Sequence, residues 1–260
     1  IDCLFELGYT AKGFNPVARD AGEVALEYGV TREMQDAWAL RSHRLSAQAY
    51  AEGRLRVGEE LMAVEIPQKR GGPAVIERDK SFRETSMEAL AKLEPIYGSP
   101  TVTAGNAPPI SAGASAVLCM TRAEAERRGL EPLATVLCAV ATAAPPREIA
   151  QIPAYTIRKA LERTGMTIDA MDLIEINEAF AAMPLVSTKI LAEGDEGRWK
   201  ALQEKTNVNG GAIAIGHPVG ASAGRIAMTL AYELRRRGGG IGVAAICGGL
   251  AQGEAVIVKA

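Results

Sequence analysis

Cysteine is scarce and scattered in this chain. Cys3, Cys119, Cys138 and Cys247 lie far apart and form no C-x-x-C pair. Such spacing argues against a disulfide framework or a zinc site, and it suits reduced thiols in a cytoplasmic compartment. Histidine is scarcer, with only His43 and His217, and aromatic residues make up 5% of the chain. Neither sign of charge dominates: 29 basic against 31 acidic residues leave a net charge of −2. With that balance and so few aromatics, no nucleic-acid partner is expected. The one dense basic run, Arg235-Arg236-Arg237, reads as a solvated helix C-terminus, where cations suit the helix dipole. No apolar run is long enough to span a membrane, and no signal-peptide pattern opens the chain. Residue 1 is Ile and is followed by what reads as mid-domain sequence, so a segment upstream is expected. G-x-G-x-x-G and P-loop patterns are missing too, which weakens any nucleotide-binding reading of the glycines. What is present is ordinary for a globular protein: 260 residues, 48% hydrophobic and 23% charged, enough for one large domain or two smaller ones.

Apolar periodicity predicts a helix from Thr31 to about Arg54, with Met34, Ala37, Trp38, Arg41 and Leu45 on one face. Two short strands follow, Leu61 to Ile66 and Ala74 to Glu77, with a turn at Gln68 to Pro73. Ser86 to Leu93 reads as a short helix, and Tyr97 to Ser115 as a connection rich in Gly, Pro, Ser and Thr. Ala116 to Met120 reads as a buried strand with Cys119 in the core, and Thr121 as the cap of a helix through Arg128. Beyond Gly129 strands and helices alternate: strand Leu133 to Val140, a helix with Pro153 in its first turn and running through Arg163, strand Leu173 to Ile176, helix Ala179 to Leu191, and a third strand at Asn207 to Asn209. Helix Ala221 to Leu234 is stopped by Gly238 to Gly240, and strands Ile241 to Ile246 and Ala255 to Val258 close the chain around a turn at Gly248 to Gly253. This order implies a largely parallel sheet covered on both faces, with the last pair antiparallel.

Three polar clusters sit at predicted strand ends: Asn177-Glu178-Ala179-Phe180, Gly216-His217-Pro218 and Cys247-Gly248-Gly249. The carboxyl ends of strands form the ligand crevice of open α/β sheets. An imidazole and a thiol can move protons between them, and a side-chain amide can hold a water or an oxyanion. Each residue alone has a plainer reading. Asn177 can cap the next helix, Cys247 can be a small core hydrophobe, and His217 can be incidental to a glycine turn.

Asn177-Glu178-Ala179-Phe180, the run Asn207-Val208-Asn209-Gly210-Gly211 continuing to Gly216-His217-Pro218-Val219-Gly220-Ala221-Ser222, and the C-terminal Cys247-Gly248-Gly249 resemble, in order and spacing, the thiolase family. Thr101-Val102-Thr103-Ala104-Gly105-Asn106 resembles the segment where that family's loop domain returns to its N-terminal domain, and Val30 to Asp36 the start of a loop-domain helix. The resemblance implies a thiolase-like α/β fold, with residues 1–112 as the coenzyme A-binding loop domain. Residues 113–128 become the last strand and helix of the N-terminal domain, and 129–260 a C-terminal βαβαβαββ domain with a mixed, mostly parallel sheet. It implies Claisen condensation of acyl-CoAs, or thiolysis of 3-oxoacyl-CoA, in fatty acid metabolism such as β-oxidation. His217 would draw a proton from a nucleophilic cysteine and help hold the thioester oxygen. Cys247 would exchange a proton with the substrate α-carbon. Asn177 would hold an oxyanion water, and the Gly249 N–H would serve a second oxyanion hole. Arg83, Ala104 and Gly105 would contact coenzyme A, which enters as substrate; no cofactor is bound permanently and no metal is required.

The family's nucleophile lies in its N-terminal half, and none of the four cysteines here matches it. The resemblance therefore implies that a separate N-terminal segment or subunit supplies it, by separate genes or by cleavage, in an assembled dimer or tetramer. The chain departs from the family at several points: Asn15-Pro16-Val17-Ala18-Arg19 replaces a His-Met pair, Ala107-Pro108-Pro109 replaces Ala-Ser-Gly, and Ser111-Ala112 replaces Asn-Asp. Lys80 and Arg78 compete with Arg83 for the nucleotide. The competing reading is a non-catalytic CoA-binding or scaffold subunit with the same fold. A condensing enzyme of the ketoacyl-synthase type would use two histidines, and His43 lies on a helix far from any glycine turn.

Overall fold

The computed structural model describes residues 15–260. Cys3 lies outside them. Helix α1 (Val17–Glu27) leads into α2 (Arg32–Ala51), whose first turn is capped by the Thr31 hydroxyl accepting from the Met34 N–H. A two-stranded antiparallel ribbon, β1 (Val64–Ile66) and β2 (Ala74–Ile76), follows. Then come the short helices α3 (Met87–Ala91) and α4 (Arg122–Arg127), capped by Ser86 and Thr121.

The second half builds the core in the order β3 (Thr135–Ala143), α5 (Ile152–Thr164), β4 (Leu173–Ile176), α6 (Ala182–Leu191), α7 (Glu196–Glu204), α8 (Ala212–Ile215), α9 (Ser222–Arg236), β5 (Ile241–Gly248) and β6 (Gln252–Lys259). The sheet order is β3-β6-β5-β4. β5 runs parallel to β4, and β6 lies antiparallel between β3 and β5. β3, β4 and β5 therefore share one direction and β6 alone opposes them. Alternate residues serve opposite faces. Ile174, Ile176, Val243, Ala245 and Ile257 join the larger core with α5 and α6, while Leu173, Ala244 and Val258 pack on Ile226, Leu230 and Leu234 of α9.

Four sequence expectations change. The third strand at Asn207 to Asn209 is reduced to isolated parallel bridges, Ile174 with Thr206 just before it and Val208 with Gly210. The reason is local: Asn207 has φ 50°, and its side-chain amide bonds the Ile176 N–H and C=O at 2.8 Å each, taking the place of a strand backbone. Ala116 to Met120 is neither a strand nor buried: Val117 and Leu118 are 55% and 79% exposed, and Cys119 is exposed. Among the described residues no strand pairs with it, and an unpaired strand cannot hold. Helix α7, capped by Asp195, falls in a stretch left without an element. The turn expected at Gly248 to Gly253 narrows to Gly249–Ala251, because β5 runs on to Gly248 and β6 opens at Gln252; the basic run does close α9 exposed to solvent, with Arg236 and Arg237 paired to Glu233 and Arg235 to Glu131.

The buried stripe of α2 also differs from the apolar face expected. Met34 is exposed, and the stripe is Gln35, Trp38, Ala39, Ser42, Ser46 and Ala49. It is polar because α2 docks on backbone ends of the second half. Arg41 donates to the carbonyls of Gln203 (3.1 Å) and Thr206 (2.8 Å) just past α7, and Ser46 donates to the Asn209 carbonyl at 3.3 Å. The fit is close at Gly210, where a Cβ would stand 2.1 Å from Ser46 Oγ and 2.4 Å from the Ser42 carbonyl, at φ +75°.

Gly210→Ala therefore combines a left-handed backbone penalty of about 1–2 kcal/mol with overpacking of about 1–3 kcal/mol. Gly165→Ala, at φ +68° with nothing within 4 Å, carries only the first. Denaturant unfolding of both variants should show the larger loss at Gly210; equal losses would mean α2 does not pack this closely.

Candidate active site

The site forms where β4 and β5 end and the Gly210 to Pro218 turn crosses them. Asn177 directly follows β4 and is fully buried; its N–H bonds the Ala245 carbonyl of β5 at 3.0 Å. Cys247 lies two residues beyond Ala245 on the same strand. Gly249 opens the tight turn between β5 and β6, in which Leu250 and Ala251 both adopt left-handed backbone.

His217 is held at both ring nitrogens. Nδ1 lies 2.6 Å from Ser222 Oγ, and Nε2 lies 3.2 Å from Asn177 Nδ2. The Ser222 hydroxyl donates to the Pro218 carbonyl at 3.1 Å, so its oxygen accepts from Nδ1–H. That assignment leaves the lone pair on Nε2, facing the Asn177 amide. Burial, reinforced by the nearby Arg225 guanidinium, pushes the imidazole down to about 4, which keeps the ring neutral at physiological pH with Nε2 unprotonated. Burial pushes the Cys247 thiol the other way, up to about 12, so its proton stays on sulfur. The ring is thus without a proton and the thiol carries one, opposite states set by the same burial.

The backbone of His217 is fixed by a segment without regular structure. Its N–H donates to Ser111 Oγ at 3.2 Å, and Ser115 Oγ donates to the Ala221 carbonyl at 2.7 Å. Gly216 has φ +102°, and a Cβ there would stand 2.4 Å from Ser111 Oγ. Ser111 had counted only as a departure from the family pattern. Ser222 sits five residues after His217 and Arg225 one turn further along α9; that helical spacing is the signal that identifies them.

Next to Asn177, Glu178 is fully buried and accepts four hydrogen bonds. They come from Trp38 Nε1 (2.8 Å), Ser42 Oγ (2.7 Å), Asn207 Nδ2 (3.2 Å) and the Ile213 N–H (3.1 Å). The Thr101 to Asn106 motif is likewise a structural pin. Buried Asn106 donates to Asp36 Oδ1 at 2.8 Å, and its carbonyl accepts from the Ala181 N–H at 3.0 Å.

The three residues expected to contact coenzyme A differ in their surroundings. Gly105 is buried, with Leu90 and Leu93 within 2.6 Å of where its Cβ would be, while Ala104 is exposed. Arg83 is exposed on the loop after β2, and its N–H donates to His43 Nδ1 at 3.3 Å. Ser81 of that loop comes within 3.9 Å of the Cβ position on Gly216, so the Arg83 loop passes beside the His217 turn.

Residues 130–260 match the family model for the thiolase C-terminal domain, and residues 11–123 match that for the thiolase N-terminal domain. This chain thus carries part of the N-terminal domain. It is 41% identical over 257 residues to the acetyl-CoA acetyltransferase of Syntrophomonas wolfei, covering 98% of this chain and 60% of the relative. It is 38% identical over 252 residues to the 3-ketoacyl-CoA thiolase of Hahella chejuensis, covering 96% of this chain and 63% of the relative. The crystal structure of the Bacillus anthracis acetyl-CoA acetyltransferase superimposes with a TM-score of 0.84 at 33% identity, over 96% of this chain and 61% of that one. The chain therefore spans about 60% of the length of these relatives.

An imidazole with a folded value near 4 binds its proton less readily than the same group in the unfolded chain, near 6.5. The stability owed to the neutral ring is complete above pH 6.5 and drains away as pH falls from 6.5 towards 4. Glu175, raised to about 8 by burial, acts in the opposite sense: its contribution is full below about 4.5 and is lost as pH rises to 8. NMR titration should place the His217 midpoint near pH 4. Stability curves of His217→Gln should lose the acid-side slope and keep the slope owed to Glu175.

Proposed function

The chain belongs to the thiolase family, and on that premise we propose that it forms the base-and-acid part of an acyl-CoA C-acyltransferase. The observation that carries this reading is the His217–Asn177 contact at 3.2 Å beside the β5 end that bears Cys247. The reaction is thiolysis of a 3-oxoacyl-CoA or its reverse, Claisen condensation of two acyl-CoAs, with CoA and its thioesters as substrates and no resident cofactor.

In the cleavage direction His217 Nε2 takes the proton of a nucleophilic thiol, which adds to the 3-oxo carbonyl. The carbon–carbon bond breaks, and the enolate of the leaving thioester takes a proton from Cys247 Sγ at its α-carbon. Free CoA then releases the acyl group from the nucleophile. In condensation Cys247 first gives its proton to the departing CoA thiolate and then, as thiolate, removes the α-proton of the second thioester. His217, with a water held by Asn177, stabilises one oxyanion, and the Gly249 N–H serves the other. Preorganised donors of this kind supply a large share of the barrier reduction at a thioester enolate. Arg83, Ala104 and Gly105 belong to the CoA-binding side, with residues 1–112 as loop domain, 113–128 as N-terminal domain and 129–260 as C-terminal domain.

The nucleophile is assigned to an N-terminal thiolase segment or subunit. Cys138 is buried in β3 and Cys119 is exposed, and neither is a partner of the His217 ring. The apolar surface left open supports such a companion. Ile110, Val117, Leu118 and Val136 are exposed, and a shallow groove over β3 and β6 is lined by Ala139, Ile226, Ala244, Ile246 and Val256. The assembled unit would be a dimer or tetramer. Unpaired Cys119, Cys138 and Cys247 are compatible with the cytoplasm.

Acetoacetyl-CoA cleavage by the protein together with its N-terminal companion is the test. His217→Ala and Cys247→Ala should each lower kcat by roughly 10²–10⁴-fold, the range for a lost general base or acid. Unchanged activity in both variants would favour the scaffold reading.

A further inference from the structure

Resting on the thiolase reading above, we propose that Arg225 is a positioning residue. It holds the Asn177 carboxamide in the one orientation that turns the amide N–H to the His217 Nε2 lone pair, and the buried carboxyl of Glu175 stands behind it.

The geometry has three parts. Ser222 and Arg225 lie three residues apart on α9 and so share a face; Ser222 takes the His217 Nδ1 proton, and Arg225 Nη2 reaches Asn177 Oδ1 at 3.5 Å. Behind it, Arg225 Nη1 lies 3.9 Å from Glu175 Oε2, and that oxygen is buried with no hydrogen-bond partner. Glu60, from the turn after α2, is in the same position: Thr229 of α9 donates to Oε1, while Oε2 is buried without a hydrogen bond. Glu60 feels the Arg225 charge as well as that of Arg236. Glu175 of β4 stands directly behind the guanidinium, and Glu60 is bonded by Thr229, one turn further along α9.

The consequence follows from donor counting. A carboxamide can turn over, exchanging its oxygen and nitrogen. Arg can only donate, so Arg225 selects the oxygen and turns the Asn177 N–H towards His217. Every later bond then points the same way: Arg225 to Asn177, Asn177 to Nε2, Nδ1–H to Ser222, Ser222 to the Pro218 carbonyl. With the amide reversed, an oxygen would face the ring and Nε2 would carry the proton, which abolishes the base. The charged and titratable groups bearing on this chain are Arg225 of α9, Glu175 of β4, Glu60 of the turn after α2, Arg41 of α2, Glu178 after β4 and Cys247 of β5. Arg225 is the one that also touches Asn177.

The experiment compares wild type, Arg225→Lys and Arg225→Gln in the complete protein with its N-terminal companion. Imidazole ¹⁵N shifts, assigned by difference against His217→Gln, should show wild-type His217 protonated at Nδ1 alone at neutral pH. Arg225→Gln should give a tautomer mixture and move the acid limb of kcat/KM upwards. It should also lower kcat by about ten- to a hundredfold, the range for a group that orients an acting residue, with KM for CoA unchanged. Arg225→Lys should restore the tautomer and most of kcat. The proposal falls if wild-type His217 carries its proton on Nε2, if Arg225→Gln leaves tautomer and acid limb in place, or if Arg225→Lys is no better than Arg225→Gln. A wild type with no cleavage activity would remove the thiolase reading, yet the ¹⁵N shifts would still decide the role of Arg225.

Discussion

A buried carboxylate organises this molecule. Glu178 has no access to solvent, and both of its oxygens are bonded twice, by Trp38 and Asn207 on one and by Ser42 and Ile213 on the other. An ion in such a place is tolerated only when its bonds are complete. Here the donors come from α2, from the irregular stretch beside β4 and from α8, which leads to His217. Removing one donor leaves a charge underbonded in the interior, so the elements are tied to one another through the carboxylate. The close approach of Gly211, where a Cβ would stand 2.6 Å from the Glu178 carboxylate, belongs to the same constraint. The residue immediately before Glu178 is Asn177, so the element that fixes the architecture also fixes the amide that meets the histidine.

The same interior sets the chemistry. Burial disfavours charge on any group, and it therefore acts in opposite directions on a base and on a thiol. His217 is driven down and Cys247 up, so the ring is left without a proton and the thiol keeps its own. Arg225 adds to the burial effect at His217, and it is held off the ring itself by the intervening Asn177 amide.

Much of the second half was legible because its signals are local. Strand β4 is an uninterrupted apolar-flanked run, and α5 announces itself by Pro153 in its first turn and Gly165 at its end. The glycine stop at Gly238 to Gly240 marks the close of α9. The three polar clusters could be placed at strand ends for the same reason. The failures share a cause, which is that the deciding partner is remote in sequence. Asn207 looks like strand sequence until its side chain is seen to replace a backbone. Ala116 to Met120 has strand composition but needs a neighbour to pair with. The stripe of α2 was sought among apolar residues, yet Ser42 and Trp38 face inward for the sake of Glu178, 136 and 140 residues away. Ser111 was read as a loss relative to the family pattern when its hydroxyl in fact bonds the His217 backbone.

Long separations of this kind carry a consequence for how the site is maintained. The histidine ring is held by Ser222, five residues on, and by Asn177, 40 residues back, whereas its backbone is held by Ser111, 106 residues earlier, in a segment with no helix or strand. Regular structure resists displacement through many parallel hydrogen bonds; an irregular segment resists it only through the contacts it makes. Here those contacts are tight on both sides: Ser111 against Gly216, Gly113 against Pro218 at 2.8 Å from its would-be Cβ, and Ser115 against Gly224 at 2.4 Å. Each pairing requires a glycine opposite a small or rigid side chain, so the alternation of Gly and Ser from 111 to 115 mirrors the glycines of the His217 turn. What looks in sequence like two unrelated low-complexity stretches is one interface, and its closeness fixes the backbone that carries the imidazole.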